Sequence, residues 1–254
     1  MAPMAIDKEP LGLPSPGWQH RTLTILADLA QSDDRIHELR AYGSAAVEGA
    51  GTDQWSDLDV LLRADEPAAV ADDLTQLIAS SLAPVFTSSR DDSPGRCGVR
   101  LVLRDLRRLD ITVVSSRPSS STASCAPIGQ SGSELADVAR AFRFDAVLAA
   151  TRAARADLLI ASHLTLQLPR HLLVAAMILR DRHAGTTHHR YGGSRWDLWT
   201  TRLSGAPDPY TRGGITAAIR YYVPVLDELL AEGELELITD NSPLRVLLDE
   251  VDAT

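Results

Sequence analysis

The sequence predicts an α+β protein in which a small mixed β-sheet domain is followed by an α-helical bundle domain. Three observations predict it. Short, β-branched apolar runs (Asp57 to Arg63, Val99 to Leu103, Leu109 to Val114) are confined to the first half. Long Ala- and Leu-rich stretches without internal glycine fill much of the second half. Between them lies a Ser-dominated stretch with too little apolar area to order itself, so 116–133 is expected to be a linker.

The elements follow in order. The lead-in, 1–17, carries Pro and charge where a secretory leader would carry an apolar core. Trp18 to Gln31 sets Leu23, Ile25, Leu26, Leu29 and Ala30 at helical spacing, and Ser32-Asp33-Asp34 ends that helix. Arg35 to Tyr42 alternates as a strand and runs into a turn at Gly43-Ser44. Asp57 to Arg63 is a second strand, Glu66 to Leu82 a helix with Pro67 near its first turn, and Val85 to Ser88 a short third strand. Arg90 to Gly98, rich in Asp, Pro and Gly, reads as a loop. Val99 to Leu103 and Leu109 to Val114 form an antiparallel pair that closes the sheet and ends the first domain, 18–115. In the helical domain, 134–254, Glu134 to Leu168 and His171 to His183 are expected to be two helices split at Pro169. A polar segment, Ala184 to Ser194, leads to a short helix around Trp196 to Leu203 and a longer one from Gly214 to Ala231 with Pro224 as a kink. No internal repeat is visible, and no oligomeric state is implied.

Composition narrows the partners. Aromatic residues make up only 5%, so Ala, Leu and Val supply the apolar mass, which favours helices. A formal charge of -9 argues against a nucleic-acid surface, which needs clustered Lys and Arg, and suits a neutral or cationic small substrate. Cys97 and Cys125 are the only cysteines, as a reducing compartment permits, and no disulfide is expected. No run is long and apolar enough to span a bilayer, so no membrane partner is expected and the expectation is a soluble, cytoplasmic protein.

Chemistry concentrates in three places: Gly43-Ser44, the triplet Asp57-Leu58-Asp59, and Asp110 inside Arg107 to Val114. Strand side chains alternate between faces, so Asp57 and Asp59 project together. Two carboxylates on one face repel unless a cation joins them, and Mg²⁺ prefers carboxylate oxygens plus substrate phosphates. Asp110 completes the cluster if its strand lies beside that of Asp57. Gly43 permits a tight turn and close approach of a phosphate, to which the Ser44 hydroxyl and neighbouring N–H groups can donate. Taken singly, Gly-Ser is a plain turn and Asp57 a strand-end residue; Asp59, flanked by Leu58 and Val60, is harder to explain without a partner.

Tyr42-Gly43-Ser44 followed by Ser56-Asp57-Leu58-Asp59-Val60 resembles the signature of the DNA polymerase β-type nucleotidyltransferase superfamily. The run Leu109 to Val114 is similar to the third-carboxylate strand of its small-molecule members, the aminoglycoside nucleotidyltransferases. The resemblance covers Arg35 to Val114 and is only architectural beyond it. It implies a nucleotidyltransferase domain in which Gly43 and Ser44 hold a nucleoside triphosphate, ATP favoured, and Asp57, Asp59 and Asp110 serve catalysis and bind Mg²⁺, two ions. Asp110 is either third ligand or general base. The implied reaction moves a nucleoside monophosphate to a hydroxyl of a small acceptor, an aminoglycoside-like antibiotic, and releases pyrophosphate. Alternatives are a relative that modifies protein or RNA, as toxin-antitoxin members do, and a silent nucleotide-binding module. Glu48 stands where many relatives carry Arg.

Further candidates lie in the second half. His189 and Arg190, in the polar stretch with His188, are expected to neutralise nucleotide phosphate; three His without Cys match no zinc spacing. Arg152 and Arg155 can meet the triphosphate or form a solvated helix face. Asp145, Asp157, Asp181 and Asp197 are candidate acceptor contacts or bases. Trp196 and Trp199 read as core, and the acidic stretch from Val225 to Thr254 as a solvated face.

Overall fold

The computed structural model describes residues 12–46, 53–116, 134–185, 194–233 and 240–254. Helix α1 (Trp18–Gln31) precedes strand β1 (Ile36–Tyr42), which runs into a single 3₁₀ turn, Gly43–Ala46. Strand β2 (Leu58–Ala64), helix α2 (Pro67–Ser81) and strands β3 (Val85–Ser93), β4 (Arg96–Leu103) and β5 (Arg108–Ser115) follow. The sheet order is β1-β2-β5-β4-β3. Only β2 and β5 run parallel; the other neighbours are antiparallel, which makes the sheet mixed, as expected.

Alternation decides the two faces of this sheet. In β2, Leu58, Val60, Leu62 and Ala64 are buried, and in β5 Leu109, Ile111 and Val113 join them. That face packs against Leu26 and Ala30 of α1 and Val70, Leu74 and Ile78 of α2. The odd members of β2 and the even members of β5 therefore face the other way. There α3 (Glu134–Ala154) covers the β3 side of the sheet, where Phe86 and Val102 enter the core of the helices. Thr87 Oγ1 fastens this seam by donating to the Arg140 carbonyl at 2.7 Å.

The remaining helices are α4 (Leu158–Ala184), α5 (Leu198–Leu203), α6 (Arg212–Glu232) and α7 (Ser242–Asp252), built around α3 and sharing one core with it. Among the described residues no helix is long and apolar enough to cross a membrane.

Three expectations are corrected. The loop placed over Arg90 to Gly98 is a β-hairpin: β3 continues to Ser93, pairs with Arg96, and turns at Pro94-Gly95, where Gly95 takes φ 72. Its exposed charged residues belong to an edge strand, where charge blocks further pairing. The helix break does not fall at Pro169, which lies inside α4, but at Arg155–Asp157, where Ala156 takes φ 60. Proline there removes one N–H from the helix, whereas a left-handed residue turns the chain and ends it. Finally, the acidic tail contains α7, whose Leu244, Leu247, Leu248 and Val251 are all buried while its acidic residues face out. The part of the expected linker from residue 117 on, and the stretch with His188, His189 and Arg190, lie outside the described residues, as does Glu48.

Candidate active site

The approach to Asp57 is held before β2 begins. Asp53 Oδ1 accepts from the Trp55 N–H at 3.0 Å and from the Ser56 hydroxyl at 2.7 Å, a local turn of the kind Asp favours. Trp55 is buried in the core of the helices and Ser56 is buried beside it, so Asp57 emerges from a fixed backbone.

Across the sheet, parallel register sets Asp59 of β2 directly against Asp110 of β5, and antiparallel register sets Tyr42 of β1 against Asp59. Paired residues share a face, so these two carboxylates stand side by side. Burial, and then the charges of Asp57 and Asp110, push the Asp59 carboxyl up to about 6. Asp110 is also raised, chiefly by burial, although its Oδ2 accepts from Arg100 Nε at 3.1 Å. Tyr42, on the same face, is raised by burial while its side chain hydrogen-bonds with Thr112.

Gly43 follows Tyr42 with φ 66, a conformation that side chains other than glycine rarely adopt. A Cβ at this position would run into Asp59 Oδ2. The turn that carries Ser44 is thus seated against the acidic pair, and glycine is what allows it.

These residues fit a hard cation. Carboxylates brought together on one face, one of them held high by burial and then by its like-charged neighbours, are the donor set that Mg²⁺ recruits together with substrate phosphates. Among the described residues no group of three or more His, Cys, Asp or Glu forms a ready-made metal cage. The reason for Asp110 is visible: one of its oxygens is turned to Arg100. Magnesium seldom requires such a cage, since phosphate oxygens and water complete its shell.

Beside Asp57 and Asp110 opens a cleft of about 210 Å³, walled by the sheet face and by Leu148 of α3 and lined by Arg100, Arg108 and Arg152. Arg108 is only 9% exposed. It donates to Thr151 Oγ1 at 3.1 Å and to the Trp55 carbonyl, and no carboxylate of the described residues forms an ion pair with it. Burial lowers its pKa, opposed first by the charge of Asp57.

Of the sequence candidates, Asp57, Asp59, Asp110 and Gly43 come together here, and Arg152 reaches the same cleft. Others do not. Arg155 pairs with Asp53 at 3.4 Å, Asp157 with Arg152 at 3.5 Å and Asp145 with His171 at 2.7 Å. Asp181 pairs with Arg180, and Asp197 caps the turn at Ser194. Arg100 and Arg108 stand outside the sequence expectations. Strand parity is the signal for Arg108, two residues before Asp110; Arg100 is the register partner of Asp110 across β4 and β5, a pairing that no local pattern in the sequence gives. Two larger hollows, about 360 Å³ beside Asp227 and Asn241 and about 290 Å³ beside Trp196 and Trp199, are lined by none of the acidic trio.

No family model matches the chain, and no curated protein matches it in sequence. Among solved structures it is similar to an aminoglycoside 6-adenyltransferase from Bacillus subtilis, 13% identical, covering 93% of this chain and 99% of that one with a TM-score of 0.32. It is also similar to the CD-NTase CdnG of Bradyrhizobium diazoefficiens in complex with GTP, 15% identical, covering 96% and 95% with a TM-score of 0.27.

Proposed function

We propose that the chain is a magnesium-dependent nucleotidyltransferase that moves a nucleoside monophosphate from a nucleoside triphosphate, ATP favoured, to a hydroxyl of a small molecule and releases pyrophosphate. One observation carries the reading: Asp59 faces Asp110 across parallel strands, with Asp57 on the same face and Gly43 seated against Asp59. That supports the resemblance of Tyr42-Gly43-Ser44 and Asp57-Leu58-Asp59 to nucleotidyltransferases with the arrangement the chemistry needs.

In this reading Asp57 and Asp59 would hold magnesium, and the turn at Gly43 would receive the outer phosphates through its backbone N–H groups. When bound, the metal would neutralise charge on the triphosphate as the acceptor oxygen approaches the α-phosphorus. Asp110 takes the proton of that hydroxyl. Its Oδ2 is engaged by Arg100, which leaves Oδ1, and its raised pKa makes it a better base than an ordinary carboxylate. The helical carboxylates proposed for that role are occupied elsewhere. Trp55 and Ser56 hold Asp57 in place, so most of the rate comes from positioning and fixed charge. The acceptor class named by the resemblance, an aminoglycoside-like antibiotic, is one candidate.

The test is incubation of labelled ATP or GTP with aminoglycosides, lincosamides and a cell extract, with and without magnesium. Magnesium-dependent label on a small molecule supports the proposal. Label on extract protein or RNA would replace it, and no label with any acceptor would leave a silent nucleotide-binding module.

A further inference from the structure

The cleft beside Asp110 has a lining that does not suit a polycationic acceptor. The face of the sheet orders the groups laterally: Gly43 and Tyr42 at β1, Asp59 on β2, Asp110 on β5, Arg100 on β4. The phosphate turn therefore stands on one flank of the acidic pair and the cleft on the other. If the triphosphate enters over Gly43, the cleft is what remains for the acceptor. Three guanidiniums line it against two carboxylates, Asp57 and Asp110. Among the described residues Arg108 is buried without an ion-pair partner; the charges of Asp57 and Asp53 favour its cationic form but neither carboxylate pairs with it, and a buried cation is costly unless an anion compensates it fully. Arg152, at the rim, is 43% exposed and only loosely held by Asp157.

We propose that this cleft seats an anionic group of the acceptor, a phosphate or carboxylate on a small hydroxylated compound such as a sugar phosphate, with Arg108 and Arg152 as the anion contacts. Planar guanidiniums match such oxyanions in a way ammonium-rich ligands cannot exploit. Size points the same way. At about 210 Å³ the cleft is smaller than the roughly 300–1,000 Å³ that drug-sized ligands occupy, which favours one substituted ring over a multi-ring antibiotic. The placement of the acceptor rests on the nucleotidyltransferase reading; the presence of an anion seat does not.

The test has two arms. In the first, ribose 5-phosphate is titrated calorimetrically into chelated protein, as wild type, Arg152→Ala and Gly43→Ala. Arg152 is a surface side chain, so its variant folds, as a circular dichroism melt would verify. Affinity is expected to fall about tenfold in Arg152→Ala, the loss of one charge-assisted contact, and to be kept in Gly43→Ala. No binding, or binding lost in Gly43→Ala and kept in Arg152→Ala, overturns the proposal, because the anion would then occupy the triphosphate turn. In the second arm, labelled ATP with magnesium is offered sugar phosphates and aminoglycosides side by side. Transfer to sugar phosphates supports the acceptor class, and transfer to aminoglycosides alone overturns it. Absence of transfer to every acceptor, with Arg152-dependent binding of ribose 5-phosphate intact, refutes the nucleotidyltransferase reading and leaves the anion seat standing.

Discussion

Asp59 sits where a carboxylate is least comfortable, and that discomfort is measurable without any substrate. Its pKa in the fold, about 6, lies above the ordinary 3.8 because burial and two neighbouring carboxylates penalise the charged form. A raised value means that the folded state binds the proton more tightly than the unfolded chain does. The corresponding stability is present below about pH 4 and lost as pH rises through about 6. At pH 7.5 in chelator, Asp59→Asn should therefore be more stable than the parent. After discounting for partial solvent exposure the gain is about 1 kcal/mol, or roughly 2–4 °C in Tm. Thermal melts should converge near pH 4, whereas nucleotide transfer should be lost at every pH; a variant that melts lower at pH 7.5 would contradict this account. Gly43→Ala should act in the opposite sense on stability. Its φ of 66 and the collision with Asp59 should cost at least roughly 1–2 kcal/mol, seen as a lower urea midpoint. The pairing of Asp59 with Asp57 was legible from strand alternation alone. The neighbouring strand of Asp110 was legible only as a condition, since strand order is set by packing that no local pattern encodes. Arg108 shows the limit from the other side. Its parity with Asp110 was in plain view, but nothing in Arg-Arg-Leu-Asp says which arginine will be buried under α3.

Among the elements, those with strong periodicity were readable and those ruled by a single residue were not. Alternation in β2 and β5 and helical spacing in α1 matched the structure within about a residue at most ends. The hairpin of β3 and β4 was hidden because Asp, Ser and Pro usually mark loops, yet Pro94-Gly95 is a tight turn and its flanking charges are an edge. Proline misled in α4 for the reverse reason: Pro169 forfeits one hydrogen bond in a helix of 27 residues, and packing on α3 and α6 outweighs the loss. Helix α7 tests the same principle. Its charge suggested a solvated strip, but Leu244, Leu247, Leu248 and Val251 are almost wholly buried. Leu247→Ala should cost about 2–5 kcal/mol, whereas Glu250→Ala on its exposed face should stay within about 0.5 kcal/mol, both read from urea unfolding.

For the molecule as a whole, the two cores meet at the sheet, and reagents that need access report whether they stay closed. Cys97 is 1% exposed, and burial first, then its hydrogen bond with Asp92, pushes its thiol up to about 12. In a Cys125→Ser background, Cys97 should resist iodoacetamide at pH 8 and react only as the protein unfolds. Mass spectrometry against urea concentration should give a labelling curve that follows the circular dichroism transition; labelling in native buffer would show that the sheet opens on its own. The lone parallel pairing, β2 against β5, carries one more implication. The stretch joining them makes a complete excursion through α2, β3 and β4 and returns beside its own starting point. Closing so long a loop is entropically slow, so the acids that converge there arrive late. A nascent chain that stops short of Arg108 carries every residue of the Gly-Ser and Asp-Leu-Asp signature and still lacks the strand that sets Asp110 against Asp59.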